Sequence, residues 1–214
     1  MTNDGHTNAV EHVDSIESDG HVDSLDSDEH AIDRSKAQEG VRLLLEAVGE
    51  DPDADGLKET WKRRVPEAFE TLTAGTRVEE KPTLRTFEAT GDDLVIKTGI
   101  PVYSLCEHHL LPYHGTAHVA YRPDGKVVGL SKIPRYVRWQ SRRLTVQEQL
   151  TSDVAHGLAD EIDADAVAVQ ISATHLCEAM RGVETATETT TRATVGELTE
   201  NERKRFDERI RTHD

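Results

Sequence analysis

The stretch AVAVQISATHLC, residues 166–177, decides the fold of this chain. Every second residue from Val167 to Cys177 would lie on one side of a strand, because successive strand side chains point to opposite faces of a sheet. The alternation therefore predicts a buried strand over residues 166–177. It also places a histidine and a cysteine, His175 and Cys177, on the same face at the end of that strand.

Helical periodicity precedes this strand. Apolar residues recur at i, i+3, i+4 and i+7 over residues 41–48, with Ser35 as the N-cap and Gly49 as the stop signal. A second amphipathic helix is predicted over residues 57–72, with Pro66 kinking or breaking it. Residues 133–143 predict a third helix, and we expect each of these helices to bury its apolar face.

Two later helices carry capping signals. Thr145 and Glu148 have the spacing of a capping box, and every fourth residue from Val146 to Ile162 is apolar. Thr199 and Glu202 repeat the capping pattern before a highly charged segment at the end of the chain. The sequence therefore predicts a well-defined amphipathic helix after residue 145 and a charged one after residue 199.

Short β-type runs predict two hairpins. One covers residues 83–99 and turns at Gly91-Asp92-Asp93, and the other covers residues 116–130 and turns at Asp124-Gly125. Hairpins mixed with flanking helices, without regular βαβ alternation, favour an α+β fold over a doubly wound one.

Acidic residues are concentrated at the front of the chain. The 214 residues include 41 acidic and 25 basic side chains, for a formal net charge of −16, and residues 1–34 hold ten of the acids and one base. High charge with few apolar residues predicts a disordered tail over residues 1–34 and one folded domain over residues 35–214. A metal-collecting tail is the alternative, and it would use four histidines: His6, His12, His21 and His30.

Composition disfavours several classes of protein. The first residues lack the basic and apolar segments of a signal peptide, and no stretch approaches the roughly 20 apolar residues that span a bilayer. Two cysteines far apart in the sequence do not make a disulfide scaffold, so we expect a cytoplasmic protein. The negative net charge disfavours nucleic-acid and anionic-membrane partners. Acid spread along the chain, with only 4% aromatic residues, resembles proteins of salt-loving organisms.

Both cysteines have a histidine within three residues. Cys106 and His109 have the spacing of a chelating loop, and Cys177 can add a third ligand from the strand. Three ligands leave one tetrahedral position for a water that would ionise near about pH 7 and attack an electrophilic carbon. The site would be structural if His108 or His175 filled that position, and two buried cysteines with ordinary packed histidines are the simplest alternative.

Basic residues follow the second predicted hairpin and the second cysteine. Lys132 and Arg135 lie in the segment SKIPR, residues 131–135, and Arg181 follows Cys177 by four residues. The chain has no phosphate-binding loop of the GxxxxGK[ST] type, so an anionic substrate would be held by side chains. A solvated basic helix start is the alternative for Lys132 and Arg135.

Four blocks together resemble GTP cyclohydrolase I, the zinc-dependent enzyme that opens the purine ring of GTP. The blocks are CEHHLLPYHGTAHVAY (106–121), GLSKIPR (129–135), RRLTVQEQL (142–150) and ATHLCEAMRGV (173–183). The resemblance implies the tunnelling fold, an antiparallel sheet backed by helices, assembled into a ring that is typically a decamer with active sites between subunits. It also implies that GTP and water give formate and 7,8-dihydroneopterin triphosphate, the first step of pterin synthesis.

The resemblance assigns roles by matching position. Zinc would be held by Cys106, His109 and Cys177. His175 would be the general acid and base at the imidazole ring of the purine, with His108 assisting beside C8, and Ser131 would act on the ribose after ring opening. The substrate-binding residues would be Gln147 and Glu148 at the guanine edge, and Lys132, Arg135 and Arg181 at the triphosphate.

A further arginine is expected from the second helix, where the family usually shows Glu-Thr-Pro-x-Arg. This chain has Glu59-Thr60-Trp61-Lys62-Arg63-Arg64, so either Arg63 or Arg64 takes the role. Glu148 also has two possible roles, since it occupies the fourth position of the predicted capping box.

Two other functions compete with this interpretation. A different tunnelling-fold enzyme, such as a metal-dependent cyclohydrolase that forms a cyclic phosphate, would share the fold and the metal site. A non-catalytic zinc module would use the same ligands without turnover. Manganese, iron or cobalt can also occupy a Cys/His site, because metal availability and geometry decide more than affinity.

Overall fold

The computed structural model describes residues 32–89 and 91–213. The predicted tail over residues 1–34, including the four histidines of its alternative metal site, lies almost entirely outside these residues. Its last residues are described: Asp33 caps the first helix by accepting a hydrogen bond from the backbone N–H of Lys36 at 3.0 Å. The N-cap is thus Asp33 rather than the predicted Ser35. Within the described residues, no helix has the length and apolar character needed to cross a membrane.

A five-stranded sheet organises the domain. Its strands are β2 (Val95–Cys106), β3 (Pro112–Arg122), β5 (Leu144–Thr145), β6 (Ala166–His175) and β7 (Glu188–Gly196), in the spatial order β5-β2-β3-β6-β7. All neighbours are antiparallel except the short β5, which pairs parallel to the end of β2. Two further strands, β1 (Thr86–Glu88) and β4 (Lys126–Val128), form a separate two-stranded sheet.

Helices cover both faces of the five-stranded sheet. The helices are α1 (Arg34–Ala47), α2 (Val65–Leu72), α3 (Lys132–Ser141), α4 (Gln147–Ile162), α5 (Leu176–Ala179) and α6 (Glu200–Arg211). On one face, α3 and α4 bury side chains against Val167, Val169 and Ile171 of β6. On the other face, Phe206 of α6 packs against Ala168. The expected α+β fold, an antiparallel sheet backed by helices, is confirmed.

The period-two pattern of residues 166–177 predicts the central strand correctly up to its end. Strand β6 stops at His175, and Cys177 lies in the short helix α5 instead of on the strand. Every fourth residue of α4 from Leu150 to Ile162 is buried, as the periodicity predicts. Gly157 lets α4 approach α3 closely, because a Cβ there would lie 2.0 Å from the hydroxyl oxygen of Tyr136.

Both predicted hairpins are wrong in their strand pairing. The turn at Asp124-Gly125 is present, with Gly125 in the left-handed region at a φ of 67°. The strand after that turn, β4, leaves β3 and pairs with β1, and β1 does not pair with β2. The physical reason is that a tight turn fixes only the local change of direction, while strand partners depend on contacts elsewhere in the chain.

The first two helices differ from their sequence predictions. No residue of α1 is buried, and Leu44 and Val48 are 64% and 67% exposed. The predicted helix over residues 57–72 is interrupted, as Pro66 predicts: a π-helical turn spans Thr60–Arg64 and α2 begins at Val65. The apolar side of α1 therefore faces a groove, shared with α2 and Leu110, that the described chain leaves open.

Candidate active site

Three elements bring Cys106, His109 and Cys177 together. Cys106 is the last residue of β2, His109 lies in the following turn, and Cys177 is in the first turn of α5. The turn folds back because the backbone N–H groups of His109 and Leu110 both donate to the carbonyl of Cys106, at 3.2 and 2.8 Å. The ligand atoms of the two cysteines and His109 all lie within 4.8 Å of one another, and the Cys106 Sγ to His109 Nδ1 distance is 3.6 Å.

The electrostatics of this cluster suit a cation. Burial raises the pKa of the Cys177 thiol, and the neighbouring sulfur of Cys106 raises it further. Two thiols this close cannot both ionise at low cost, because like charges disfavour one another. A bound divalent cation removes that repulsion and accepts thiolate and imidazole donors, so the donor set fits zinc. The thiols are free of disulfide bonds.

His175 precedes Cys177 by two residues and is held on two sides. It is the last residue of β6 and pairs across the sheet with Tyr113, whose ring stacks on the imidazole at 4.6 Å with an angle of 12° between planes. Its Nε2 lies 2.9 Å from Oε1 of Gln147. Burial lowers the pKa of His175, and the carboxylates of Glu148 and Glu178 act in the opposite direction.

Gln147 differs from its predicted role at the guanine edge. Its side chain is buried and its Nε2 donates to the carbonyl oxygens of Ile171 and Thr189, at 2.9 and 2.8 Å. Its Oε1 faces His175. Both ends of the amide are therefore engaged within the protein.

Glu148 is exposed at the start of α4, and the predicted capping box is wrong. The N-cap of α4 is Val146, and no side chain caps this helix. Thr145, the predicted cap, donates its hydroxyl to the carbonyl of Val146 instead. The carboxylate of Glu148 is thus free of a capping role, which removes the structural alternative for this residue.

The remaining predicted residues near the cluster are at the surface. The side chain of His108 is 65% exposed, with Nε2 at 3.8 Å from a carboxylate oxygen of Glu107. Arg181 is exposed in the segment that follows α5. Both side chains can meet a substrate without rearrangement of the core.

The basic segment at residues 131–135 lies apart from the cysteine and histidine cluster. Ser131 precedes α3, and with Arg135 it lines a cavity of about 870 Å³ between α3 and β2. None of Cys106, His109, Cys177 or His175 lines this cavity. Three more cations do: Lys97, Arg138 and Arg142. Sequence reasoning missed these three, although Arg138 and Arg142 follow Arg135 at helical spacing.

The two candidate arginines of the second helix differ in their ion-pair partners. Arg63 is held between two carboxylates, at 3.5 Å from Glu59 and 3.0 Å from Glu67. Among the residues described, Arg64 has no ion-pair partner. Both lie in the π-helical turn, whose i→i+5 hydrogen bonds accommodate one residue more than an α-helical turn.

Comparisons with known proteins point to one family. The family model described as GTP cyclohydrolase I matches residues 37–211. GTP cyclohydrolase 1 of Hyperthermus butylicus is 50% identical over 167 residues, which is 78% of this chain and 84% of that protein. GTP cyclohydrolase 1 of Campylobacter jejuni is 46% identical over 175 residues, 80% and 92% of the two chains. A crystal structure of archaeosine synthase QueF-Like in the apo form covers 52% of this chain and 100% of its own, with 17% identity and a TM-score of 0.43.

Proposed function

Because this chain belongs to the GTP cyclohydrolase I family, we propose that it hydrolyses GTP to formate and 7,8-dihydroneopterin triphosphate, the first step of pterin synthesis. One observation supports the chemistry of this proposal. The thiols of Cys106 and Cys177 converge with the imidazole of His109. His175, two residues before Cys177, is held in place by Gln147 and Tyr113. We also place the enzyme in the cytoplasm, since its two cysteines are free thiols.

Zinc would be held by Cys106, His109 and Cys177. When bound, it would supply Lewis acidity at the carbon to be hydrolysed. The exposed edge of the cluster at His109 leaves a side from which substrate can approach. His175, whose pKa is lowered by burial, would accept a proton from the substrate and return it.

The acid–base groups act on the five-membered ring of the purine. His175 would protonate the ring nitrogen as the bond to C8 breaks, and His108 would assist beside C8 from its exposed position. Hydrolysis releases C8 as formate and leaves two amino nitrogens on the pyrimidine. Ser131 would then act on the ribose during the rearrangement that closes the new ring.

The proposed substrate-binding residues comprise one carboxylate and four cations. The carboxylate of Glu148 would accept from the adjacent N–H groups of guanine, a role for which it is free and exposed. The triphosphate would be bound by charge-assisted contacts from four cations: Arg64, Lys132, Arg135 and Arg181. We assign Arg64 rather than Arg63, because two carboxylates already neutralise Arg63.

A complete site would form between subunits of a ring, with the decamer as the proposed assembly. The cavity that contains Ser131 and Arg135 is separate from the zinc ligands of the same chain, so a second copy would bring the two halves together. The exposed apolar side of α1 supplies a surface for such packing.

Subunit complementation tests the shared site. Chains with His175→Ala should be inactive alone, and chains with Arg135→Ala should lose at least about tenfold in activity at GTP concentrations well below KM, because one triphosphate contact is missing. Mixed rings formed by co-expression should regain about a quarter of the wild-type activity, because random pairing of two chain types leaves that share of sites intact. Mixed rings no more active than either variant would place the whole site within one chain.

Incubation with GTP tests the reaction itself. Purified protein of known metal content should release formate and dihydroneopterin triphosphate in equal amounts, identified by mass spectrometry. A cyclic phosphate product would instead assign the chain to a different cyclohydrolase reaction. Tight metal binding without any turnover would indicate a non-catalytic zinc protein.

A further inference from the structure

We propose that Gln147 is a positioning residue that fixes the tautomer and the orientation of His175, with Nδ1 of the imidazole left as the nitrogen that can meet the substrate. This inference rests on the proposed function, since it concerns the histidine assigned there to acid–base chemistry. It replaces the predicted contact between Gln147 and guanine.

The orientation of the Gln147 amide is determined by its partners. Its Nε2 lies within hydrogen-bond distance of the carbonyl oxygens of Ile171 and Thr189 and of the hydroxyl oxygen of Thr191, at 3.1 Å. The two carbonyl oxygens can only accept a hydrogen bond. The end of the amide that faces them must therefore be the NH₂ group.

The hydroxyl of Thr191 cannot reverse this assignment. Thr151 donates its hydroxyl proton to the carbonyl of Gln147 at 2.7 Å, so the 2.6 Å contact between Thr151 and Thr191 requires Thr191 to be the donor. Thr191 then presents only lone pairs to Gln147. A flipped amide would set its oxygen against three acceptors, at a cost of several unmade buried hydrogen bonds.

The fixed amide fixes the histidine. Oε1 of Gln147 can only accept, so Nε2 of His175, at 2.9 Å, must carry a proton. A neutral imidazole has one proton, which leaves the lone pair on Nδ1. Nδ1 makes no hydrogen bond within the described part of the chain. The stacked ring of Tyr113, which is fully buried, holds the plane of the imidazole from one side.

This arrangement suits a group that must accept and return a proton. Protonation of His175 adds a proton at Nδ1 and leaves the Nε2–H to Gln147 bond unchanged, since both nitrogens are then donors. The protein therefore needs no reorganisation of the hydrogen bonds around Gln147 during the reaction. Gln147 does not itself exchange a proton, so its effect on catalysis is through the geometry of His175.

Nitrogen NMR of the protein labelled with ¹⁵N-histidine tests the tautomer directly. The His175 signals can be assigned by their loss in His175→Gln. In the wild-type chain we expect the neutral form with its proton on Nε2, and in Gln147→Met a mixture of both tautomers. A wild-type His175 with its proton on Nδ1 would overturn the proposal, even if Gln147→Met fails to fold.

Steady-state kinetics distinguish a positioning role of Gln147 from a direct contact between Gln147 and the substrate. Gln147→Met should lower kcat by about 10- to 100-fold, part of what a positioned acid–base group contributes, while KM for GTP changes by less than about threefold. Gln149→Met is the matched control, because Gln149 is an exposed residue of α4 whose side-chain amide donates to Asp153, its single hydrogen-bond partner in the described part of the chain. It should leave both constants and the zinc content unchanged.

The opposite result would show that Gln147 binds guanine. In that case KM would rise, kcat would hold, and the tautomer of His175 would be the same in both proteins. Failure of the proposed function is a separate outcome: a wild-type protein that releases no formate from GTP would refute the activity, while the NMR spectrum would still show whether Gln147 sets the tautomer.

Discussion

The three proposed zinc ligands come from a strand end, a turn and a short helix. We predict that Cys177→Ala lowers the zinc content from about one ion per chain to below roughly a tenth, because two remaining donors cannot complete a metal site. Elemental analysis after desalting measures this. His156→Ala, which removes an exposed imidazole from α4, should keep the full content. Full occupancy in Cys177→Ala would contradict the assigned ligand set.

The two adjacent arginines provide a second comparison. Arg64→Ala should raise KM for GTP roughly 10- to 150-fold, since a charge-assisted phosphate contact contributes roughly 1.5–3 kcal/mol. Arg63→Ala should change KM less than about twofold, because its exposed ion pairs with Glu59 and Glu67 contribute little. Steady-state kinetics on the two variants decide between them, and a larger effect from Arg63 would reverse the assignment.

For single residues, the sequence predicts the members of the cysteine and histidine cluster better than it predicts hydrogen-bond partners. Two cysteines close to histidines predict the Cys106, His109 and Cys177 cluster, since few other roles explain that pattern, and the structure brings the three together. The burial of Gln147 could not be predicted. It depends on carbonyl groups of β6 and β7, which lie 24 and 42 residues away in the chain.

Among the elements, α6 is attached to the sheet by ion pairs, which include Arg192 of β7 with Asp207 at 2.6 Å and Arg122 of β3 with Glu202. Arg122 of β3 reaches Glu202 at 3.0 Å and Asp165 at 3.5 Å. Burial opposes ionisation of Glu202, but hydrogen bonds from Thr199 and the Arg122 ion pair outweigh it, so the pKa of Glu202 lies below its usual range. The contact should therefore stabilise the protein whenever Glu202 is ionised.

The pH dependence follows from the direction of that shift. A carboxyl with a lowered folded-state pKa contributes stability above its unfolded pKa of about 4.3, and loses it as the pH falls through the folded value. We expect Glu202→Gln to be less stable than wild type by about 1 kcal/mol at pH 7, and we expect this difference to shrink as the pH falls through the lowered pKa of Glu202. Glutamine can keep the capping box with Thr199, so the difference isolates the charge.

Urea unfolding at one fixed protein concentration measures this difference at each pH, since an assembled protein unfolds in a concentration-dependent way. A stability difference that stays the same as the pH is lowered would assign the effect to packing instead of to charge.

Element prediction succeeded where the signal is local. The Thr199 capping box and the four-residue periodicity of α4 depend on neighbours in the chain, and both helices are present. The pairing of β1 with β4 joins segments about 40 residues apart, and no turn signal encodes such a partner. The Asp124-Gly125 turn therefore predicts a reversal correctly and the strand pair wrongly.

For the whole molecule, net charge is the dominant feature. We propose that the chain is adapted to high salt, and we predict that 2 M KCl raises the melting temperature by about 5 °C or more relative to 0.1 M, roughly 1–2 kcal/mol for a domain of this size. Screening of mutual repulsion among the 41 acidic residues is the reason. Sucrose at matching osmolality is the control for general solute effects. A flat melting temperature across this range would refute the adaptation.

Subunit assembly is the property that the sequence predicts least. The proposed ring would explain two features of the single chain. They are the open apolar side of α1 and the separation of the Arg135 cavity from the proposed zinc ligands. Helical periodicity at residues 41–48 predicts an apolar stripe, but it cannot tell whether the same chain or another copy covers it.

The π-helical turn at Thr60–Arg64 changes the direction in which the following side chains point. Each residue of an α-helix turns the chain by about 100° around the helix axis. The extra residue of this turn therefore rotates the side chains from Val65 onward relative to those of an uninterrupted helix. Deletion of one residue within the turn should restore a regular α-helix and rotate Arg64 relative to α2.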